Sequence, residues 1–318
     1  MESTEEEKIV AEAKEKTKEL HDLLSAKDLD YDKFFELIVK RSKNFDRQIM
    51  VDEYQEQFSE NLFDVLNKKF SGELKEVVTF LFYNPYELDA RIINNSLRGK
   101  KRDEKAVIEI ICSRPYWYLQ TVDQEYHRLY NISLKDELNK EKSAEFKHFL
   151  ICILTTPRAV GQSLKNEKQV TEIVNNINKH TLKKYSKEVE LFKDVFVKRS
   201  REDLILIARE FRNLDPKKRN LYDAVDSACG DKTKEILKAI IYSVIMPSHY
   251  FAHLLKKSII GAGTDNKTLN RVLVTRAEID MENIRNYYKI ETKNELVKDI
   301  EGDTSGNYRK ITKMLGNL

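Results

Sequence analysis

Two short runs near the end of the sequence combine glycine with acid. Gly261-Ala262-Gly263-Thr264-Asp265 opens a helical pattern that continues from Lys267 to Arg276. Gly302-Asp303-Thr304-Ser305-Gly306 precedes another, from Tyr308 to Leu315. Glycines at 261 and 263 let the main chain bend so that several carbonyl oxygens face one point. Asp303 can bring a carboxylate to the same point. Carbonyls, a carboxylate and water are the donor set of a hard cation such as Ca²⁺. Either run alone also reads as a turn between helices, with glycine ending one and a small polar residue capping the next. The pair, with a helical pattern between its members, predicts a metal loop.

Other chemistry finds little support. Of the histidines at 21, 127, 148, 180, 249 and 253, only His249 and His253 have the i, i+4 spacing of a zinc pair, and no glutamate base or third ligand accompanies them. No phosphate loop, nucleophile elbow or dinucleotide fingerprint occurs. Cys112, Cys152 and Cys229 are sparse and odd in number, which reads as reduced thiols, with a Cys112–Cys152 disulfide left conceivable. Cys229 lacks a recognisable histidine partner. The chain is read as a non-enzyme.

The elements that must position such a loop are helical. The chain has 318 residues, 34% charged and 41% hydrophobic, enough for a large core or several small modules. A net charge of +3 creates no field that would favour nucleic acid. The acidic start, Met1-Glu2-Ser3-Thr4-Glu5-Glu6-Glu7-Lys8, does not read as a signal peptide, and the apolar runs at 149–154 and 239–246 are too short to span a bilayer. Any membrane contact is therefore expected to be peripheral. Apolar spacing near 3.6 recurs, as in Phe34, Leu37, Ile38 and in Ile284, Tyr287, Tyr288, and no strand-like alternation competes with it.

The helical pattern repeats. Asn84-Pro85, Thr156-Pro157 and Met246-Pro247 each end one apolar run and precede the next. In each resulting piece an aliphatic run ends on an arginine, at 41, 114, 199 and 276, which are spaced by 73, 85 and 77 residues. Ile49, Val122, Ile207 and Ile284 stand eight residues after these arginines. Tyr126, Phe211 and Tyr288 stand twelve after, and Tyr54 one residue late, a sign of a small insertion. The arginines themselves are read as closing helices on terminal carbonyls.

Gly261–Asp265, Val274-Thr275-Arg276-Ala277-Glu278-Ile279-Asp280 and Gly302–Gly306 together resemble the last repeat of an annexin. Weaker versions of the pattern extend the resemblance from about Ile9 to Leu318. It implies an all-α fold of four repeats, each a bundle of five short helices, arranged in a curved disc. The expected parts are a short head at 1–8 and repeats at 9–84, 85–156, 157–246 (with the polar linker 161–168) and 247–318. It also implies Ca²⁺ ligands at the carbonyls of Ile259, Gly261 and Gly263 and at the carboxylate of Asp303.

Counting thirteen residues back and twenty-seven forward from each arginine locates the same places elsewhere. The second repeat gives Lys101 and Glu141, with Arg98-Gly99-Lys100-Lys101-Arg102 around the loop. Three adjacent cations repel Ca²⁺, so weak or no metal binding is expected there. Lys100, Lys101 and Arg102 are instead candidates for lipid phosphate, at about 1 kcal/mol each near an anionic surface. The third gives Ser186 and Asp226, without glycine, and puts Tyr185 at the loop tip as a candidate for the membrane interface. The first gives Asp28 and Lys68, with Asp28, Asp30 and Asp32 favoured as a helix cap over a metal site. Thr264 is a further lipid-contact candidate.

The resemblance therefore implies Ca²⁺-dependent, peripheral binding to acidic phospholipid on the cytoplasmic face of membranes. An alternative, similar to the divergent alpha-giardin type, is a structural or cytoskeleton-associated protein with little calcium dependence. Calcium-independent lipid binding through residues 100–102 is a third reading. Assembly into a homo-oligomer on membranes is left open.

Overall fold

The computed structural model describes residues 5–98, 102–164, 166–179, 189–228, 231–261 and 263–318. All regular structure among these residues is helical. Among the described residues the α-helices fall into four groups of five. The first is α1 (Glu5–Ser25), α2 (Tyr31–Phe35), α3 (Asn44–Phe58), α4 (Leu62–Lys69) and α5 (Gly72–Phe82). The second is α6 (Pro85–Arg98), α7 (Glu104–Ser113), α8 (Tyr116–Tyr130), α9 (Leu134–Asn139) and α10 (Ala144–Thr155). The third is α11 (Glu167–Lys179), α12 (Val189–Phe192), α13 (Arg201–Leu214), α14 (Leu221–Ala228) and α15 (Asp231–Ile245). The fourth is α16 (Pro247–Ile259), α17 (Asn266–Arg276), α18 (Met281–Thr292), α19 (Leu296–Asp303) and α20 (Gly306–Leu315). None is long and apolar enough to cross a membrane. Most are too short to persist alone, so each depends on the apolar face it buries.

The second helix of a group starts on an aspartate in the three groups where that start is described. Asp30, Asp103 and Asp265 accept the main-chain N–H of Lys33, Ala106 and Thr268 at 3.1, 3.1 and 3.2 Å. Three of the buried aromatics expected twelve or thirteen residues after the arginines are tyrosines, and each has a partner for its hydroxyl. Tyr54 meets His21 Nδ1 at 3.1 Å, Tyr126 donates to Asn94 at 3.2 Å and Tyr288 to Asp299 at 2.8 Å. Phe211 fills the same place in the third group and needs none. Burial pushes the Tyr54 phenol up to about 12 and raises Tyr126 and Tyr288 as well, so these hydroxyls stay protonated.

The chain forms two compact units, one from residues 1–85 and 251–318, the other from 86–250. In the first, the guanidinium of Arg47 is buried and donates to Glu278 at 2.6 Å and to the carbonyls of Leu81, Ile38 and Ser42. Asn270 donates to Glu76 at 2.7 Å. In the second, Ser243 donates to the Cys112 carbonyl at 2.9 Å and Lys232 to Glu104 at 2.7 Å. The linker expected at 161–168 is docked in this unit. Ser163 and Leu164 donate their N–H groups to Asp203 at 2.9 and 3.0 Å, and Leu164 is buried.

One expectation is corrected. Three of the four repeated arginines pair with carboxylates: Arg41 with Glu19 at 2.7 Å, Arg114 with buried Asp89 at 2.8 Å, and Arg276 with Asp280 at 2.7 Å. A carboxylate matches the planar guanidinium in two bonds, which single carbonyls cannot. Cys112 and Cys152 are both free, buried thiols.

Candidate functional site

The glycine loop joins α16 to α17, and Asp303 is the last residue of α19. A main-chain bond from Asp265 N–H to the Ser258 carbonyl, 2.8 Å, closes the loop at its base. Asp265 then caps α17 through Thr268, whose hydroxyl also donates to it at 2.8 Å. Between these anchors Gly263 takes φ +91°, a conformation that a β-carbon resists. Gly261 and Gly263 are exposed, whereas Ile259 is buried at the end of its helix.

Thr264 carries Asp303 into register with the loop. Its hydroxyl donates to Asp303 Oδ2 at 2.5 Å and lies 3.1 Å from the Asp303 carbonyl. Among the described residues no donor meets Oδ1, and no cation pairs with this carboxylate. No group of three His, Cys, Asp or Glu side chains that could hold a metal occurs among them. A cation here would rely on main-chain carbonyls and the single carboxylate, a donor set that suits Ca²⁺. The residues present fit that ion. Ile260, passed over in the sequence, is about half exposed beside the glycines. An isoleucine within a helical period reads as core, and only the end of α16 puts it outside.

The other groups depart from this arrangement, in part because counting from the arginines loses register. Asp30 and Tyr54 are one residue further apart than Asp103 and Tyr126 or Asp265 and Tyr288. The extra residue is absorbed where α2 runs on as a π turn, Glu36–Lys40. Helix α4 therefore ends on Lys69 where α19 ends on Asp303, and the position is Lys69 rather than Lys68. The Lys69 ammonium donates to the Ala26 carbonyl at 2.7 Å. Asp30 is a cap, as expected, and the Lys33 N–H it accepts lowers its pKa.

In the third group the loop 215–220 adds two residues between Phe211 and Leu221, held by Arg219 against Asp215 at 2.8 Å. The position of Asp303 falls on Ala228, not Asp226. Asp226 pairs with Lys238 at 2.6 Å, as Glu301 pairs with Lys313 at 2.8 Å in the fourth group.

The second group keeps its register. Asp103 N–H bonds the Ser96 carbonyl at 3.1 Å, the counterpart of the Asp265–Ser258 bond. Glu141 holds the place of Asp303, and Arg102 that of Thr264. The Arg102 guanidinium donates to Glu141 and remains about half exposed. Beside it Arg98 pairs with Glu137, whose pKa is lowered by that bond. Lys100, Lys101 and Tyr185 lie outside the described residues.

The annexin family profile matches residues 16–81, 88–153 and 250–315. The chain belongs to the annexin family. Mouse annexin A3 is 31% identical over 278 residues, covering 86% of this chain and 84% of its own. The solved structure of annexin III superposes with a TM-score of 0.86 at 25% identity, over 96% of this chain and 94% of that one. A calcium-bound structure of alpha-14 giardin shares the fold, with a TM-score of 0.79 at 17% identity over 96% and 99%. The profile passes over the third repeat of this annexin. That repeat lacks the loop glycines and carries the two extra residues at 215–220.

Proposed function

We propose that this annexin binds acidic phospholipid surfaces in a Ca²⁺-dependent way through its fourth repeat. The observation that carries the reading is Asp303, held by Thr264 at a loop that Gly263 bends, with one carboxylate oxygen open. The carbonyls of Ile259, Gly261 and Gly263 and the carboxylate of Asp303 would hold Ca²⁺. A bound Ca²⁺ supplies open positions for lipid phosphate oxygens. Protein and headgroup each complete the other's donor set, so metal and membrane affinities rise together. Exposed Ile260 suits the boundary between headgroups and acyl chains. In the same reading the protein works at the cytoplasmic face of membranes, and its repeats span 9–84, 85–156, 157–246 and 247–318.

Sedimentation with phosphatidylserine vesicles across a Ca²⁺ series, against chelator, tests this. Asp303→Asn and Gly263→Arg are expected to raise the Ca²⁺ needed for half-binding at least about tenfold, the cost of about 1.4 kcal/mol of metal affinity. An unchanged curve would refute the assignment. The loss of the acid at Lys69 and Ala228 favours a second reading, a cytoskeletal partner engaged with little calcium dependence. Co-sedimentation with filaments that persists in chelator is its mark.

A further inference from the structure

We propose that Lys69 and Arg102 are built-in counterions, each standing in its own repeat where Ca²⁺ is read to stand in the fourth. The inference rests on that reading of the Asp303 loop. In the first repeat two features have changed together. The acid at the end of the fourth helix has become Lys69, and its ammonium sits 2.7 Å from the Ala26 carbonyl, the position of Gly261. The carbonyl keeps a cationic partner, but one that is covalently tethered. In the second repeat the acid survives as Glu141, whose side chain is only 9% exposed. The residue that should orient it has become Arg102, and the guanidinium lies on the carboxylate. A nearly buried carboxylate needs a partner in the resting protein, and Arg102 provides one without metal.

A Ca²⁺ ion entering either loop must first expel a cation that is always present at high local concentration. It would then meet the displaced positive charge alongside. The Ala26 carbonyl and the Glu141 carboxylate thus each keep a cationic partner in the absence of calcium. The chain is left with one calcium-responsive loop, and its response to Ca²⁺ is graded, with a Hill coefficient near one.

Bound calcium is measured by equilibrium dialysis of the full chain with phosphatidylserine vesicles, after subtracting vesicles alone. Wild type is expected to bind about one ion per chain. Lys101→Gly restores the loop glycine but leaves Arg102, and is expected to stay at about one. Lys101→Gly with Arg102→Thr rebuilds the glycine–threonine pair beside Glu141, and is expected to gain about one more. Thermal melting by circular dichroism accompanies each variant, so that a stoichiometry is taken only from a folded chain. A gain in Lys101→Gly alone would overturn the blocking role of Arg102, and no gain in the folded double variant would overturn the inference as well. Asp303→Asn separates the two ideas. If it leaves the wild-type value unchanged, the fourth-repeat assignment fails, while the difference between single and double variants still reports on Arg102.

Discussion

Arg47 is 3% exposed and donates to three carbonyls and one carboxylate. Among the described residues its charge is neutralised only by Glu278, which also accepts the N–H of Asn44 at 3.0 Å. Removing one member of a buried pair leaves the other charge uncompensated, at a cost of about 3 kcal/mol. Glu278→Ala is therefore expected to lower the urea midpoint of the first unit clearly, because the arginine charge it strands is buried. Exposed Lys310–Asp32, in the same unit, should be worth under about 1 kcal/mol. Equal losses for Glu278→Ala and Asp32→Ala would contradict this ranking. The sequence pointed to other arginines, because those recur with the repeat. Arg47 does not recur, and its partner is 231 residues away, beyond the reach of any local period. The site residues were legible for the opposite reason. Gly263, Thr264 and Asp303 lie in two short runs whose composition departs from the helices around them.

Helices α4, α9, α14 and α19 show where that legibility stops. Their apolar faces are plain in the sequence, and their starting leucines, 62, 134, 221 and 296, are all buried. In the proposed reading, the residue seven places on decides whether a cation can be held. Fixed counting missed it twice, at the π turn 36–40 and the loop 215–220. A π turn leaves the apolar pattern nearly intact while adding one residue, so only the late Tyr54 betrays it. The loop geometry itself carries a prediction. Nothing stands within 4 Å of where a β-carbon at Gly263 would lie, so a substitution there is opposed by the backbone alone. Gly263→Val should cost about 1–2 kcal/mol in chelator, where metal has no part, and Gly263→Asn less. Melting temperatures in chelator compare the two, and equal melting of valine variant and wild type would rule out strain at this position.

At the level of the whole molecule, four repeats were legible because proline punctuation and apolar spacing are local signals. Their association into units was not. The first and last repeats meet through Asn270–Glu76 and Arg47–Glu278, side chains with no common motif. The second unit carries its own acid sensitivity. The Arg219 guanidinium holds the Asp215 carboxyl down at about 2, against about 3.9 in an unfolded chain. The stabilisation is complete above the unfolded value and disappears as the pH falls through about 2. Asp215→Asn should lose about 1–2 kcal/mol at neutral pH and flatten the decline between about pH 4 and 2. Urea midpoints measured at pH 7 and 3 test this, and a variant whose loss is the same at both would exclude the linkage.

The first unit is assembled from both ends of the chain. A ribosome delivers residues 86–250 entire before any of 251–318 exists, so the second unit can close while synthesis continues. The opening residues cannot finish in the same way. Glu76, Arg47 and Asp32 wait for Asn270, Glu278 and Lys310, all of which emerge only after the second unit. Until then the first repeat is an open half-structure, with an apolar flank and a charged arginine lacking its mate. That interval is when chaperones and proteases have their best access to it.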